Sequence, residues 1–158
     1  MIIILEGPEA AGKSTLAKKL SEQSGFEIVS KSWPRGKAEQ EAMLDMYREA
    51  AYGSANVIFD RCWYSEMVYG PIMRDKSYIT YEHMNELEDI LVRNSGAMLI
   101  HCTDNMRDLW KRFVERGDDY IKPDMGLLMK IAIQYDHLMH CVPHKIPVMR
   151  YELSKNLS

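Results

Sequence analysis

The sequence is poor in cysteine and has no long apolar run. Its three cysteines, Cys62, Cys102 and Cys141, are odd in number and widely spaced, which favours a reducing compartment over a disulfide framework. No apolar run approaches the roughly 20 residues of a membrane-spanning helix, so we expect no membrane partner. The opening run at residues 2–5 is too short for the core of a signal peptide. Together these absences predict a cytoplasmic protein.

A strong excess of charge is missing too. The formal net charge of the 158 residues is −3, which argues against a dedicated, strongly basic nucleic-acid-binding protein but leaves a local basic groove open. Apolar residues make up 46% and charged residues 27% of the chain, so disordered and low-complexity classes are excluded. We expect one domain over residues 1–158, with a core that needs no disulfide or metal.

Short apolar, β-branched runs alternate along the chain with stretches of helical periodicity. The predicted strands are residues 2–6, 26–30, 56–60, 97–102 and 147–151. The predicted helices are residues 13–23, 38–52, 64–69, 81–92, 105–115 and 124–140. Because parallel strands need crossover connections, this alternation predicts a three-layer α/β/α fold with a five-stranded parallel sheet.

A glycine-bounded loop follows the first predicted strand. Residues 7–14 match the pattern G-x-x-x-x-G-K-[ST] in full, with a strand before them and a helix after them. In this pattern backbone N–H groups and the helix N-terminus bind phosphate, the lysine bridges two phosphates, and the hydroxyl binds Mg²⁺. We therefore expect ATP and Mg²⁺ to bind here, through Gly7, Ala10, Ala11, Gly12, Lys13, Ser14 and Thr15.

Two charged residues end the third predicted strand. There Asp60 can hold Mg²⁺ together with Ser14, and Arg61 can clamp a phosphate with its planar fork. An ordinary surface ion pair is the alternative interpretation of this pair. Beside a phosphate-binding loop we favour the metal and phosphate roles.

A basic helix precedes a segment that contains Gly117. Arg112 and Arg116 are spaced i, i+4, so both are expected on one face. This pattern predicts a closing lid over residues 104–123, set against a core of residues 1–103 and 124–158. A solvated basic face is the alternative interpretation. The predicted catalytic residues are Lys13, Asp60, Arg61, Arg112 and Arg116.

The segment after the second predicted strand contains Trp33 and Arg35, which suit stacking and phosphate binding. A loop tryptophan that covers the edge of the core explains Trp33 equally well. Tyr69 and Tyr120 are candidates for stacking on a base. The predicted substrate-binding residues are Glu9, Trp33, Arg35, Arg61, Tyr69 and Tyr120.

With these segments in view, the chain resembles the thymidylate kinase family of P-loop nucleotide kinases, in particular short members carried by bacteriophages. The matching segments, in chain order, are LEGPEAAGKST, SWPR, FDRCWYSEMVYG and ERGDDYI. The resemblance spans nearly the whole chain. It implies a P-loop nucleotide kinase fold, ATP and Mg²⁺, a deoxynucleoside monophosphate as acceptor, and a homodimer.

The resemblance also implies individual roles. Glu9 would face the sugar of the acceptor, and Arg35 would hold the acceptor's phosphate. The lid arginines would close over the donor. Ala10 departs from the family, because some relatives carry a catalytic arginine there. That departure gives Arg112 or Arg116 more weight in this chain.

The residues alone do not identify the phosphoryl acceptor. A hydroxyl acceptor needs a general base, whereas a phosphate acceptor already carries a nucleophilic oxygen. Residues 30–37 contain no carboxylate and three cations, which favours a monophosphate. The alternatives are a deoxynucleoside kinase with Glu9 or Asp60 as base, and a P-loop ATPase without an acceptor. A further alternative is a phage kinase that phosphorylates 5-hydroxymethyluracil within DNA, whose groove would use Lys31, Arg35, Lys37, Arg74 and Lys76.

Histidines cluster near the end of the last long predicted helix. His137, His140, Cys141 and His144 have a spacing that could hold zinc. Ordinary helix-end histidines are the favoured interpretation, because nothing else in the sequence suggests such a site.

Overall fold

A computed structural model describes residues 1–30, 36–53, 55–117 and 122–156 of the chain. Its five strands are β1 (Ile2–Glu6), β2 (Glu27–Ser30), β3 (Val57–Asp60), β4 (Ala97–Thr103) and β5 (Val148–Glu152). They form one parallel sheet in the order β2-β3-β1-β4-β5. The predicted five-stranded parallel sheet is therefore confirmed.

Helices connect the strands. In the described residues they are α1 (Lys13–Ser24), α2 (Gly36–Glu41), α3 (Met43–Gly53), α4 (Trp63–Arg74), α5 (Tyr81–Asn94), α6 (Met106–Arg116), α7 (Met125–His140) and α8 (Leu153–Asn156). Side-chain caps begin three of them, because Thr80, Asn105 and Asp124 each accept a hydrogen bond from a backbone N–H in the first turn. No described helix has the length and apolar content needed to cross a membrane.

The strand order dictates where the helices lie. From β1 the chain crosses through α1 to the β2 edge, and every later connection runs in the opposite direction along the sheet. Since parallel crossovers are right-handed, α1 covers one face and the helices of the later connections cover the other. The packing agrees with this arrangement, because α3 contacts α5 and α4 contacts α7. The result is the three-layer α/β/α fold predicted above.

β1 lies at the centre of the sheet because its side chains are apolar on both faces. Ile2, Ile4 and Leu5 are fully buried, and burial of each such side chain is worth about 1.5–3 kcal/mol. The register places Leu5 beside Asp60 of β3 and Glu6 beside His101 of β4. Since β1 has neighbours on both sides, the loop after Glu6 opens at the point where the strand order reverses, which is where such sheets bind ligands.

α4 is longer than the helix predicted for residues 64–69. The helix begins at Trp63 and continues through Gly70 and Pro71 to Arg74. Pro71 is exposed, and a Cβ at Gly70 would lie 2.8 Å from the Glu66 carboxylate and from the Lys76 carbonyl. Gly70 is therefore required for the close approach of the following loop rather than for a helix end.

The other helices differ less from the prediction. The helix expected over residues 38–52 is divided at Ala42 into α2 and α3. α8 was not predicted, because four residues carry too little periodicity to be recognised. The division of the chain into a core and a lid over residues 104–123 stays a prediction, and α6 lies within that lid segment.

Candidate functional site

The loop between β1 and α1 has two positions, Gly7 and Gly12, at which a side chain would be strained or would clash. Gly7 lies against β4, and a Cβ there would come within 1.8 Å of the Cys102 carbonyl oxygen. Gly12 has φ 81°, and a Cβ there would come within 2.9 Å of the Leu153 side chain. Ala10 also has a positive φ, 59°. The loop therefore turns tightly into α1, which aims the positive helix N-terminus into the space above the strand ends.

Lys13 extends back along this loop. Its side chain is nearly buried, and Nζ donates hydrogen bonds to the carbonyl oxygens of Gly7 at 2.9 Å and Pro8 at 2.6 Å. Burial, followed by the nearby Arg61 charge, lowers the pKa of Lys13 to about 8. An anion in the loop would oppose both effects, so the ammonium group is placed where a phosphate would stabilise it.

Ser14 and Asp60 form a pair of hard oxygen ligands at the mouth of the loop. The Ser14 hydroxyl donates to the Asp60 carboxylate at 3.1 Å. Hydroxyl and carboxylate oxygens beside phosphates are the donors that Mg²⁺ uses in nucleotide sites. The two residues predicted to hold Mg²⁺ are thus adjacent, and their chemistry fits that ion.

Arg61 organises the wall opposite the loop. Its backbone φ of 75° directs the side chain inward, and its guanidinium donates to Glu9 at 3.0 Å and to the Tyr135 hydroxyl at 3.2 Å. Tyr69 places its ring 5.3 Å from the guanidinium and donates its hydroxyl to the Glu9 carboxylate at 2.7 Å. Burial opposes the positive charge, but the surrounding oxygens keep the pKa of Arg61 above its usual value.

Glu6 supports Arg61 from below, and the sequence analysis missed this residue. Its fully buried carboxylate accepts hydrogen bonds from the Ser65 hydroxyl at 2.7 Å and the Tyr135 hydroxyl at 2.9 Å. Burial raises the pKa of Glu6, and the Arg61 charge and these hydrogen bonds oppose that rise. One signal in the sequence could have identified Glu6, because it is a charged residue at the end of an otherwise apolar strand.

Arg112 and Arg116, the two arginines in the second half of α6, have different contacts. Arg116 and the following Gly117 line the cavity above the loop. Arg112 donates through Nε to the Ala10 carbonyl at 2.8 Å and through a terminal nitrogen to Asp104 at 2.9 Å. Asp104 is itself held by hydrogen bonds from Ser154. Arg112 therefore supports the phosphate-binding loop from outside, whereas Arg116 is the arginine that faces the cavity.

These groups surround one cavity of about 360 Å³. Cations, carboxylates and an amide-lined loop meet in it, which suits a polyanionic ligand with a bound metal. Ser30 and Phe113 also line it and were not predicted. The lining residues are Glu9, Ala10, Ala11, Gly12, Lys13, Ser14, Ser30, Asp60, Arg61, Phe113, Arg116 and Gly117.

Some predicted site residues lie elsewhere. Trp33, Arg35 and Tyr120 are outside the described residues. Thr15 is exposed in the first turn of α1, and Tyr69 is buried beneath Glu9 rather than open to the cavity.

The residues expected to line a DNA groove are occupied with other contacts where the structure describes them. Arg74 pairs with the buried Glu66, Lys37 pairs with Glu41, and Lys76 lies over the Tyr78 ring. Lys31 lies outside the described residues. Neither a DNA partner nor the expected homodimer is supported by the structure or by the relatives of the chain.

The fold and this site define a P-loop phosphotransferase of the nucleotide kinase type, and the similarities to known proteins agree. The family described as polyphosphate kinase 2 (PPK2) matches residues 1–123, and the chain belongs to this family. The SPbeta prophage-derived uncharacterized protein YorR of Bacillus subtilis strain 168 is 33% identical over 122 residues, which cover 77% of this chain and 72% of YorR.

Solved structures agree as well. The crystal structure of Bacillus subtilis YorR in complex with phosphorylated GDP has a TM-score of 0.79 and 26% identity, covering 98% of this chain and 87% of YorR. Deoxyadenosine kinase from M. mycoides, with dCMP and dCDP bound, has a TM-score of 0.66 at 18% identity and covers 96% of this chain and 90% of its own, a likeness of fold alone. The predicted kinase fold is thus confirmed, and the narrower thymidylate kinase assignment stays a prediction.

Proposed function

We propose that this protein transfers the γ-phosphoryl group of ATP, with Mg²⁺, to a deoxynucleoside monophosphate of the thymidylate type. The observation that carries the proposal is the meeting of three cations, Lys13, Arg61 and Arg116, with the Ser14–Asp60 oxygen pair around one cavity. Such an arrangement stabilises charge on a transferring phosphoryl group and needs no covalent intermediate.

Each group has a role that follows from its position. The loop N–H groups and Lys13 hold the donor phosphates. Ser14 and Asp60 would hold Mg²⁺, which would supply positive charge beside the phosphates. Arg116 balances the charge that develops on the transferred group. An acceptor phosphate oxygen forms the new P–O bond as the bond to the β–γ bridging oxygen breaks, which yields ADP and a nucleoside diphosphate.

A monophosphate acceptor fits the carboxylates better than a hydroxyl acceptor does. Glu9 lines the cavity, but its oxygens accept hydrogen bonds from Tyr69 and Arg61. Asp60 accepts the Ser14 hydroxyl and lies on the metal side. Both carboxylates are thus engaged in positioning, whereas a phosphate acceptor brings its own ionised oxygen. Glu9 is then placed to orient the acceptor beside Arg61.

The family match favours a second candidate. Because residues 1–123 match the polyphosphate kinase 2 family, inorganic polyphosphate is a candidate for the phosphoryl donor in place of ATP. The same cations would hold either polyanion, so the cavity geometry fits both donors.

One panel assay separates these candidates. Purified protein with Mg²⁺ is given ATP or polyphosphate, together with each deoxynucleoside, each deoxynucleoside monophosphate, GDP, or DNA with and without 5-hydroxymethyluracil, and the products are identified by mass. We expect a diphosphate from one monophosphate with ATP. Product formed with polyphosphate but not with ATP would identify polyphosphate as the phosphoryl donor. Phosphorylation only of nucleosides or DNA would refute the monophosphate acceptor.

A matched pair of variants shows whether the activity belongs to this site. Lys13→Ala removes the loop ammonium, and Lys18→Ala removes an exposed lysine from the same helix. We expect transfer to be lost in the first and kept in the second. Equal activity in both variants would contradict the proposed site.

A further inference from the structure

A second polar cluster lies on α7 and β4, away from the phosphate-binding loop. His101 is fully buried on β4, and its Nδ1 lies 2.9 Å from Nε2 of His140 and 4.0 Å from a carboxylate oxygen of Asp136. Asp136 and His140 are separated by one helical turn on α7 and are both exposed. The three ligand atoms lie within 4.8 Å of one another.

A buried histidine at position 101 is unfavourable for the stability of the fold. Burial lowers its pKa to about 4, so the imidazole is neutral near pH 7. Its second nitrogen, Nε2, is buried and has no hydrogen-bond partner among the described residues, which is energetically unfavourable. An apolar residue would avoid that cost in the middle of a sheet. The other nitrogen, Nδ1, faces His140 and Asp136, and it is the nitrogen that a metal ion at this cluster would use.

We propose that His101, Asp136 and His140 form a binding site for a divalent transition metal ion of the zinc type. Two imidazoles and one carboxylate are donors that suit Zn²⁺ and its neighbours better than Mg²⁺ or Ca²⁺. The site differs in this respect from the all-oxygen pair of Ser14 and Asp60. The two positions therefore select different ions.

The distances require only small adjustments. Around a tetrahedral Zn²⁺ with bonds near 2.0–2.1 Å, neighbouring ligand atoms are roughly 3.4 Å apart. The 2.9 Å separation of the two imidazole nitrogens must widen by a few tenths of an ångström. Asp136 must approach His101 from 4.0 Å. Both helix residues are exposed, so their side chains can adjust and water can complete the coordination.

Arg150 competes with the metal for Asp136. Its guanidinium donates to Asp136 at 3.0 Å and also to Glu152 at 2.9 Å. The Glu152 contact gives Arg150 a second carboxylate when Asp136 turns towards a metal. Loss of the Arg150 charge should therefore tighten metal binding, which an accidental surface site elsewhere would not show.

Calorimetric titration of the full-length, chelator-treated protein with Zn²⁺ alone, without nucleotide, tests the proposal. We expect saturable binding of one equivalent that Mg²⁺ does not displace. His140→Ala and Asp136→Asn should weaken it about tenfold or more, and Arg150→Gln should strengthen it. Both weakened variants change exposed residues, so circular dichroism should show an unchanged fold.

Two exposed residues beside the cluster supply the controls. His137→Ala removes another histidine of α7, and Cys141→Ser removes an exposed thiol just beyond it. Both variants should bind Zn²⁺ like the parent. Binding that is lost in either control but kept in His140→Ala would place the metal elsewhere. Absence of saturable Zn²⁺ binding to the parent protein would overturn the proposal outright.

Discussion

Two buried glutamates, Glu6 and Glu88, are both fully inaccessible to solvent, yet they occupy very different surroundings. Glu6 accepts hydrogen bonds from Ser65 and Tyr135 directly beneath Arg61, which lines the ligand cavity. Glu88 lies on α5 and joins three separate parts of the chain. A buried carboxylate in a hydrogen-bond network is thus common to both regions, but only the Glu6 network supports a residue that lines the cavity above the β1–α1 loop.

Protein hydrogen-bond partners surround the Glu88 carboxylate. Glu88 accepts hydrogen bonds from the Tyr64 hydroxyl and the Lys145 backbone N–H, each at 2.7 Å. His144 places Nδ1 2.7 Å from Glu88 and Nε2 2.7 Å from the Leu138 carbonyl. Both ring nitrogens face acceptors, so the charged form of His144 can donate to both. Burial opposes this charge, but the hydrogen bonds outweigh burial and raise the pKa of His144.

The comparison shows that burial and pairing alone do not identify a functional carboxylate. Glu88 neutralises a buried cation and ties α5 to α4 and to the segment before β5. Glu6 holds Arg61 in place while that cation stays available to a ligand. Variants of the two regions should therefore separate activity from stability.

The largest effect is expected for Lys13→Met on the cavity side. Loss of the loop ammonium should lower phosphoryl transfer by roughly 10²–10³-fold or more. The free energy of unfolding of Lys13→Met should not be lower than that of the parent. The pKa of Lys13 is lowered to about 8 from 10.5, so between these values the folded state binds fewer protons and the parent's stability rises with pH.

Urea unfolding between pH 7.5 and 9.5 checks the second part of this prediction. The difference in unfolding free energy between Lys13→Met and the parent should shrink as pH rises across that range. A difference that does not change with pH would show that burial does not disfavour the Lys13 charge.

The pair Glu88→Gln and Glu6→Gln tests the comparison directly. Glu88→Gln leaves the His144 imidazolium without its counter-charge and should cost about 3–5 kcal/mol of unfolding free energy. Its activity per folded molecule should equal that of the parent. Glu6→Gln should lower activity about tenfold or more, because Arg61 loses the support beneath it, at a stability cost of about 1–3 kcal/mol. Equal activity losses in both variants would remove the distinction between the two clusters.

Variants of Arg112 and Arg116 should also differ from each other in their kinetic effects, but by less than the two glutamate variants do. Arg116→Gln removes a cation that lines the cavity and should lower kcat by roughly tenfold to a hundredfold with little change in KM. Arg112→Gln frees the Ala10 carbonyl and Asp104 and should act mainly by raising the KM for the phosphoryl donor. Steady-state kinetics of both variants measures this, and a larger kcat loss in Arg112→Gln would reverse the two roles.

The smallest effect is the pH dependence contributed by His144. Its pKa is raised above the ordinary 6.5, so its stabilising contribution is complete below pH 6.5 and is lost as pH rises through the raised value. Each unit of that shift is worth about 1.4 kcal/mol. Urea unfolding from pH 6.5 to 8.5 should show that the stability advantage of the parent over His144→Gln shrinks as pH rises, because the contribution of Lys13 is common to both proteins. The lowered pKa of His101 acts below this window and does not obscure the result.

The loop between β1 and α1 could be recognised from the sequence as a candidate phosphate site because its residues are contiguous. Gly7, Gly12, Lys13 and Ser14 lie within eight residues, and Asp60 and Arg61 were recognisable at a strand end. The network beneath them could not be predicted, because Tyr135 is 129 residues from Glu6 in sequence. Helical spacing placed Arg112 and Arg116 on one face, but it carried no information on which partner each side chain would reach.

Alternation of apolar runs and helical periodicity was enough for the parallel α/β/α sheet, because strand and helix preferences act over a few residues. The tertiary structure alone decided that Arg112 binds the Ala10 carbonyl, that Glu6 lies under Arg61, and that His101 of β4 meets His140 of α7. Those contacts depend on how distant segments pack. Residues far apart in the chain become neighbours only after the sheet and its helices have assembled.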